Sequence, residues 1–199
     1  IELESKLNYR KFDRKFMDFV WGQGQGAELP VVVMAKDAVK LPIEGGPAIE
    51  NPPSPIKDAW QRWNDYGIGL LLEGDKGSEK GELIQAAQAF EMVEKLGRAD
   101  GPLNLARVYF KEGRLDDAVA ALQRAVKFDP PAPRWTVAWF TGLVNKQNGF
   151  LDEAIRQFRS ILEDRYPELD QRGFDFSKDY EVINELGLTL FERAKQERG

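Results

Sequence analysis

The sequence contains neither cysteine nor histidine, and these two absences exclude a good deal of chemistry. Without a thiol there can be no disulfide, no thiolate zinc site and no cysteine nucleophile. Without an imidazole there is no Ser-His-Asp triad, and without both there is no CxxCH haem attachment. Zero cysteine leaves the compartment open, because cysteine-free segments occur in reducing and oxidising surroundings alike. No apolar run approaches the ~20 residues that span a bilayer, and no signal peptide is recognisable. A basic surface is missing too. Lys and Arg number 28 against 33 Asp and Glu, and the resulting net charge of −5 favours no nucleic-acid partner. The chain opens on Ile1 rather than Met, and it reads as a processed or excised part of a longer protein whose address is missing.

What is present suits a helical protein with many exposed faces. The 199 residues leave room for one elongated domain or for one domain with an appendage; 42% are apolar and 31% charged. Residues 1–45 form a strand-rich N-terminal segment. Ile1, Leu3, Leu7 and Tyr9 alternate with Glu2, Glu4, Lys6, Asn8 and Arg10, the pattern of a half-buried strand. Phe12, Phe16, Phe19 and Val20 then fit one face of a short helix ending before Gly22. Pro30 to Met34 and Ala38 to Ile43 read as two short strands around Lys36-Asp37. Such strands are too few and too short for an independent sheet. They are expected to complete a preceding domain of the parent protein or to fold back onto the helices. Residues 46–59, with Pro52-Pro53, form a stiff linker. The basic cluster Arg10, Lys11, Arg14 and Lys15 reads as a solvated face balanced by Asp13 and Asp18, with an anion or docking site as the alternative.

From Trp60 onward the chain is helical and repeated. The clearest unit is Leu105 to Pro130: Leu105, Ala106 and Tyr109 share one helix face, Gly113 makes the turn, and Ala118, Leu122 and Ala125 line a second helix. Its predecessor is Trp63-x2-Tyr66-Gly67-x2-Leu70 followed by Ala86-x3-Phe90. Its successor is Ala138-x2-Thr141-Gly142-x2-Asn145 followed by Ala154-x3-Phe158, and a fourth first helix carries Ile183-x2-Leu186-Gly187-x2-Leu190. Gly67, Ala106, Gly142 and Gly187 occupy one slot, where paired helices must approach closely. Ala86, Ala118 and Ala154 occupy the matching slot on the second helices. Gly74, Gly113 and Gly149 each follow the first-helix small residue by seven positions, where a turn needs φ > 0. The small residues stand 39, 36 and 45 apart, and the excess falls in loops at 75–81, 130–133 and 165–177.

Over residues 60–199 this pattern resembles the tetratricopeptide repeat family, with its W-x2-L-G-x2-Y, A-x3-F and P positions at a nominal 34-residue period. The resemblance implies a mainly α fold. It would be a right-handed α-solenoid of about three helical hairpins plus a C-terminal capping helix, preceded by a small β or irregular segment. The aromatic of the first helix survives only as Tyr109; Leu70, Asn145 and Leu190 replace it. By resemblance to the family's groove positions, the first helices should present a partner-binding wall of Asn64, Ile68, Leu103, Asn104, Arg107, Phe110, Lys111, Trp139, Leu143, Lys146, Asn184 and Leu188. Asn104, Arg107 and Lys111 share a face and suit a peptide carboxylate or backbone. The family's two-carboxylate clamp is not matched, because Trp139 and Phe140 stand where the next repeat would supply basic and Asn residues. Trp139 and Phe110 either line this groove or pack against neighbouring repeats or the N-terminal strands.

Other motifs resolve into structure rather than chemistry. Gly22-x-Gly24-x-Gly26 and Gly74-Asp75-Lys76-Gly77-Ser78 lack the spacing and context of phosphate loops. Asp116-Asp117 and Asp152-Glu153 should favour the dipoles of second helices and supply their caps. Glu163-Asp164, like the other adjacent acids, cannot converge on one atom at ~100° per residue. No catalytic role is expected, no metal or cofactor is expected in this chain, and the expected function is a protein–protein interaction or assembly scaffold.

A second resemblance concerns the parent. LNYRKFDRKFMDFV, LPVVVMAKDAVKLPI and the C-terminal RGFDFSKDYEVINELGLTLFERAKQERG look like the C-terminal region of bacterial multihaem c-type cytochromes that carry tetratricopeptide repeats. That resemblance implies a periplasmic accessory module beside electron transfer, with haem c held outside this chain. Otherwise a cytoplasmic scaffold is expected, bound to a protein or peptide partner or to its own preceding domain, with no nucleic acid and no membrane insertion.

Overall fold

A computed structural model describes residues 1–53, 56–73, 81–170 and 172–197. The chain divides into two compact units, residues 1–55 and 56–199. The loop at 75–81 and the turn glycine Gly74 fall outside the described residues, apart from the backbone of Gly81.

The N-terminal unit is an antiparallel pair of strands, β1 (Glu2–Tyr9) and β2 (Val32–Lys40), with helix α1 (Arg14–Trp21) between them in sequence. The two short strands expected around Lys36-Asp37 are one nine-residue strand, and its partner is β1 itself. Lys36 and Asp37 do not interrupt it because Lys36 faces Lys6 and Asp37 faces Ser5 across a regular ladder. The register slips between Leu7 and Asn8, which leaves Met34 without an opposite residue. The half-buried pattern read for β1 is not realised: every residue of the strand is exposed. Alternation places Leu3 and Leu7 on one face, but burial needs a second layer, and none among the described residues of this unit covers it. Asp13 caps α1, its Oδ1 accepting from Phe16 N at 2.7 Å. Beyond β2, Asn51 substitutes for a strand neighbour by accepting from Lys40 N at 2.8 Å and donating to its carbonyl at 3.0 Å.

The second unit is a helical repeat. First helices are α2 (Ala59–Glu73), α4 (Asp100–Lys111), α6 (Arg134–Gln147) and α9 (Tyr180–Gln196); second helices are α3 (Gly81–Lys95), α5 (Leu115–Ala125) and α7 (Leu151–Glu163). Each first helix but the last packs on its own second helix. α3 also packs on α4, α5 on α6 and α7 on α9, while α2, α4 and α6 touch in turn. This is the helical-hairpin solenoid expected from the sequence.

The small-residue slots explain the packing. A Cβ on Gly67 would lie 2.6 Å from Phe90 Cε1, and one on Gly142 would lie 2.5 Å from Phe158 Cε1. Phe90, Phe158, Ala86, Ala118 and Ala154 are all fully buried. Gly187 departs from the expectation, because a Cβ there meets nothing within 4 Å. α9 packs on α7, but among the described residues no helix follows it to form a hairpin and cover its other face, so Ile183, Leu190 and Phe191 remain exposed. The turns follow the sequence. Gly113 and Gly149 have φ of +74° and +81°. Arg114 N bonds Tyr109 O at 2.8 Å and Phe150 N bonds Asn145 O at 2.9 Å, closing each first helix with a Schellman motif.

Two expectations need correction. The acidic pairs lie in the first turns of α5 and α7, but the cap positions are Arg114 and Phe150, and neither makes a side-chain cap bond. Asp117 instead accepts from Arg114 Nε at 2.8 Å, and Glu153 from Gln157 at 3.0 Å. The 165–177 insertion is more than a loop: it carries the short helix α8 (Pro167–Asp170) and opens into a 3-10 turn at Phe176–Lys178.

Candidate functional site

The first helices carry the residues expected to form a wall, and there hydrogen bonds join α2 to α4 while a cation–π contact reaches α6. Asn104 Nδ2 donates to Asn64 Oδ1 at 2.9 Å, and Arg107 Nη1 donates to Asn104 Oδ1 at 3.0 Å. The Arg107 guanidinium lies over the Phe140 ring, 5.8 Å from its centroid. Asn104 is only 7% exposed, so its amide is committed to the scaffold: burying it unpaired would cost about 1–3 kcal/mol. Arg107 is half-buried and directed by these contacts, and Lys111 is exposed one turn further along α4. Leu103 is buried behind them.

The apolar members of the wall belong largely to two cores. Ile68, Phe110 and Phe140 pack against a core centred on α3, α4 and α5. Trp139 and Leu143 pack on a second core with Phe158 and Ile161, the Trp139 ring lying 5.5 Å from Phe158. Lys146 joins α6 to α9 through Glu185 at 2.9 Å and Glu192 at 3.8 Å. Asn184 and Leu188 are exposed on α9. Of the residues expected on the wall, Asn64, Asn104 and Arg107 are therefore brought into bonding contact with one another.

Sequence reading missed an aromatic cluster at the start of α6. Trp135, Tyr166 and Phe176 meet with centroid distances of 5.3–5.8 Å, and Phe174 joins Phe176 at 4.8 Å. Arg134 covers Tyr166 at 4.5 Å and donates to the Arg165 carbonyl at 2.6 Å. Burial pushes the Tyr166 phenol up, and its Oη donates to Ser160 O at 3.1 Å. Hydrogen bonds from Ser177 and pairing with Lys178 pull the Asp175 carboxyl down. The density of Tyr166, Phe174 and Phe176 in an insertion was the available signal, since solvated loops seldom carry three rings in eleven residues.

Among the described residues no group of three or more acidic side chains is placed to hold a metal, and no helix is long and apolar enough to cross a membrane. Residues 103–132, spanning most of α4 and all of α5, match a family model described as a tetratricopeptide repeat. A search of curated proteins finds no match to the chain.

Proposed function

We propose that this tetratricopeptide-repeat protein is a non-catalytic scaffold that holds an acidic, extended segment of a partner protein along α4 and α6. Repeats of this kind serve in general as modules for protein–protein interaction. The observation that carries the finer reading is the setting of Arg107: Asn104 and Phe140 orient its guanidinium, and Lys111 adds a second cation one turn away. Orientation lowers the entropy lost when a carboxylate binds a guanidinium. Trp139 supports this wall from beneath by packing on Phe158.

The test is selection of peptides from a displayed random library, followed by titration of the best binder into wild type and the Arg107→Gln/Lys111→Gln double variant. Each lost charge-assisted hydrogen bond should weaken binding by about tenfold or more. Unchanged affinity in a variant with a wild-type circular dichroism spectrum refutes the wall.

A second reading follows from the N-terminal unit, where Leu3, Leu7, Phe19, Trp21 and Val32 are exposed. So bare a surface suits a module that packs on a preceding domain of its parent. In the cytochrome version that domain carries the haems, and a full-length parent without a Soret band rejects it.

A further inference from the structure

The 165–177 insertion does more than lengthen a repeat: its 3-10 turn borders a cavity between α6, α7 and the start of α9. The cavity has a volume of about 230 Å³. Trp135 and Trp139 on α6, Phe176 from the 3-10 turn and Ile161 on α7 supply apolar walls, while Asp179 and Glu181 add two carboxylates. No cation is among the lining residues. Two cations flank the lining in sequence: Lys178 pairs with Asp175 at 3.0 Å, and Arg134 lies over Tyr166 at 4.5 Å and donates to the Arg165 carbonyl at 2.6 Å. Asp179 Oδ1 caps α9 by accepting from Glu181 N and Val182 N at 3.0 and 3.3 Å, and this offsets the partial positive charge of that terminus. Glu181 is exposed in the first turn of the helix.

We infer that this cavity is a specificity pocket for an arginine side chain of the partner protein. It rests on the reading of the chain as a protein-binding scaffold, but it uses different residues from the α4 wall. Three rings and two carboxylates with no cation repel anions and attract a cation that can also stack on π faces. The guanidinium is planar and weakly hydrated, so it sheds water against indole more readily than a lysine ammonium does. A volume below the ~300–1,000 Å³ of small-molecule sites suits one side chain rather than a cofactor. A partner segment that places carboxylates on α4 and an arginine in this pocket would read its register from opposite charges at two points.

The probe is N-acetyl-arginine methylamide, titrated into the full chain while the Trp indole N–H resonances are followed by NMR. The chain has five tryptophans, so Trp21, Trp60 and Trp63 report on non-specific binding. Saturable shifts are expected at Trp135 and Trp139 and not at the other three. Glu181→Gln should weaken the arginine probe by about three- to tenfold, the size of a cation–π or charge-assisted contact. The neutral isostere N-acetyl-citrulline methylamide should bind at least as much more weakly. Equal binding of citrulline overturns the charge argument, equal or tighter binding of the lysine analogue overturns the guanidinium assignment, and shifts spread evenly over all five indoles overturn the pocket. Arg107→Gln/Lys111→Gln should leave arginine binding unchanged, so failure of the α4 wall and failure of this pocket give different results.

Discussion

Replacing Gly142 with alanine adds one methyl group at the most crowded point of the third hairpin. Its Cβ would sit 2.5 Å from Phe158 Cε1 and 2.9 Å from both Cδ1 and Cζ. The ring cannot swing away, because Phe158 is fully buried and Trp139 packs 5.5 Å from it. Overpacking of this kind costs about 1–3 kcal/mol, whereas Gly→Ala inside a helix by itself gains about 1 kcal/mol. Gly187 isolates the second term: it holds the same repeat position in α9, yet a Cβ there meets nothing within 4 Å. Gly187→Ala should therefore stabilise by roughly 0.5–1 kcal/mol. Gly142→Ala should fall below it by about 1–3 kcal/mol, since helix propensity cancels between the two variants. Urea unfolding followed by far-UV circular dichroism measures the difference; with m of ~2 kcal/mol/M it separates the midpoints by roughly 0.5–1.5 M. Adding Phe158→Leu to Gly142→Ala should cost less than Phe158→Leu does alone, because the methyl group refills part of the space. Equal midpoints for Gly142→Ala and Gly187→Ala would refute the slot.

Three further outcomes rest on other contacts of the helical unit. Lys146→Ala removes the link from α6 to Glu185 and Glu192 and should cost roughly 1 kcal/mol, the pair being partly shielded, with faster amide exchange in α9 as the local signature. Asp175 and Tyr166 should titrate in opposite senses. The Asp175 carboxyl is lowered, so its contribution is present above ~3.9 and is lost as pH falls through its lower folded pKa. The Tyr166 phenol is raised, so its contribution is present below ~10 and is lost as pH rises through its higher folded pKa. Ser177→Ala should return Asp175 toward its ordinary value in a carboxyl NMR titration; an unmoved value would show that the Ser177 hydroxyl does not carry the shift.

Much of the helical unit was legible because its signals are local. Gly67, Ala106 and Gly142 repeat at helical spacing from their partners, and Gly113 and Gly149 mark turns whose positive φ a side chain resists. Such signals fail where the outcome depends on residues far apart in sequence. The alternation in Ile1 to Arg10 marks a strand correctly, but it cannot say whether anything covers the apolar side. The interruption read at Lys36-Asp37 disappears once Lys6 and Ser5 stand opposite. The wall residues were named from helix position alone, and position does not reveal that Asn104 is consumed by Asn64 and Arg107, or Lys146 by Glu185.

The sequence by itself determined the repeat register, the turns at Gly113 and Gly149 and the buried small residues Gly67, Ala106 and Gly142. Each is set by backbone sterics or by the 3.6-residue period within one hairpin. It also determined that no cysteine or histidine chemistry is available, since composition alone settles that. Only the tertiary structure decided which polar groups hold helices together and which face outward, because pairing depends on distances between residues up to about 40 positions apart. It alone brought Trp135, Trp139, Phe176 and Glu181 around one cavity. Those residues come from three segments with no common period, and the cavity exists because the insertion and α9 pack back across α7 beside the start of α6.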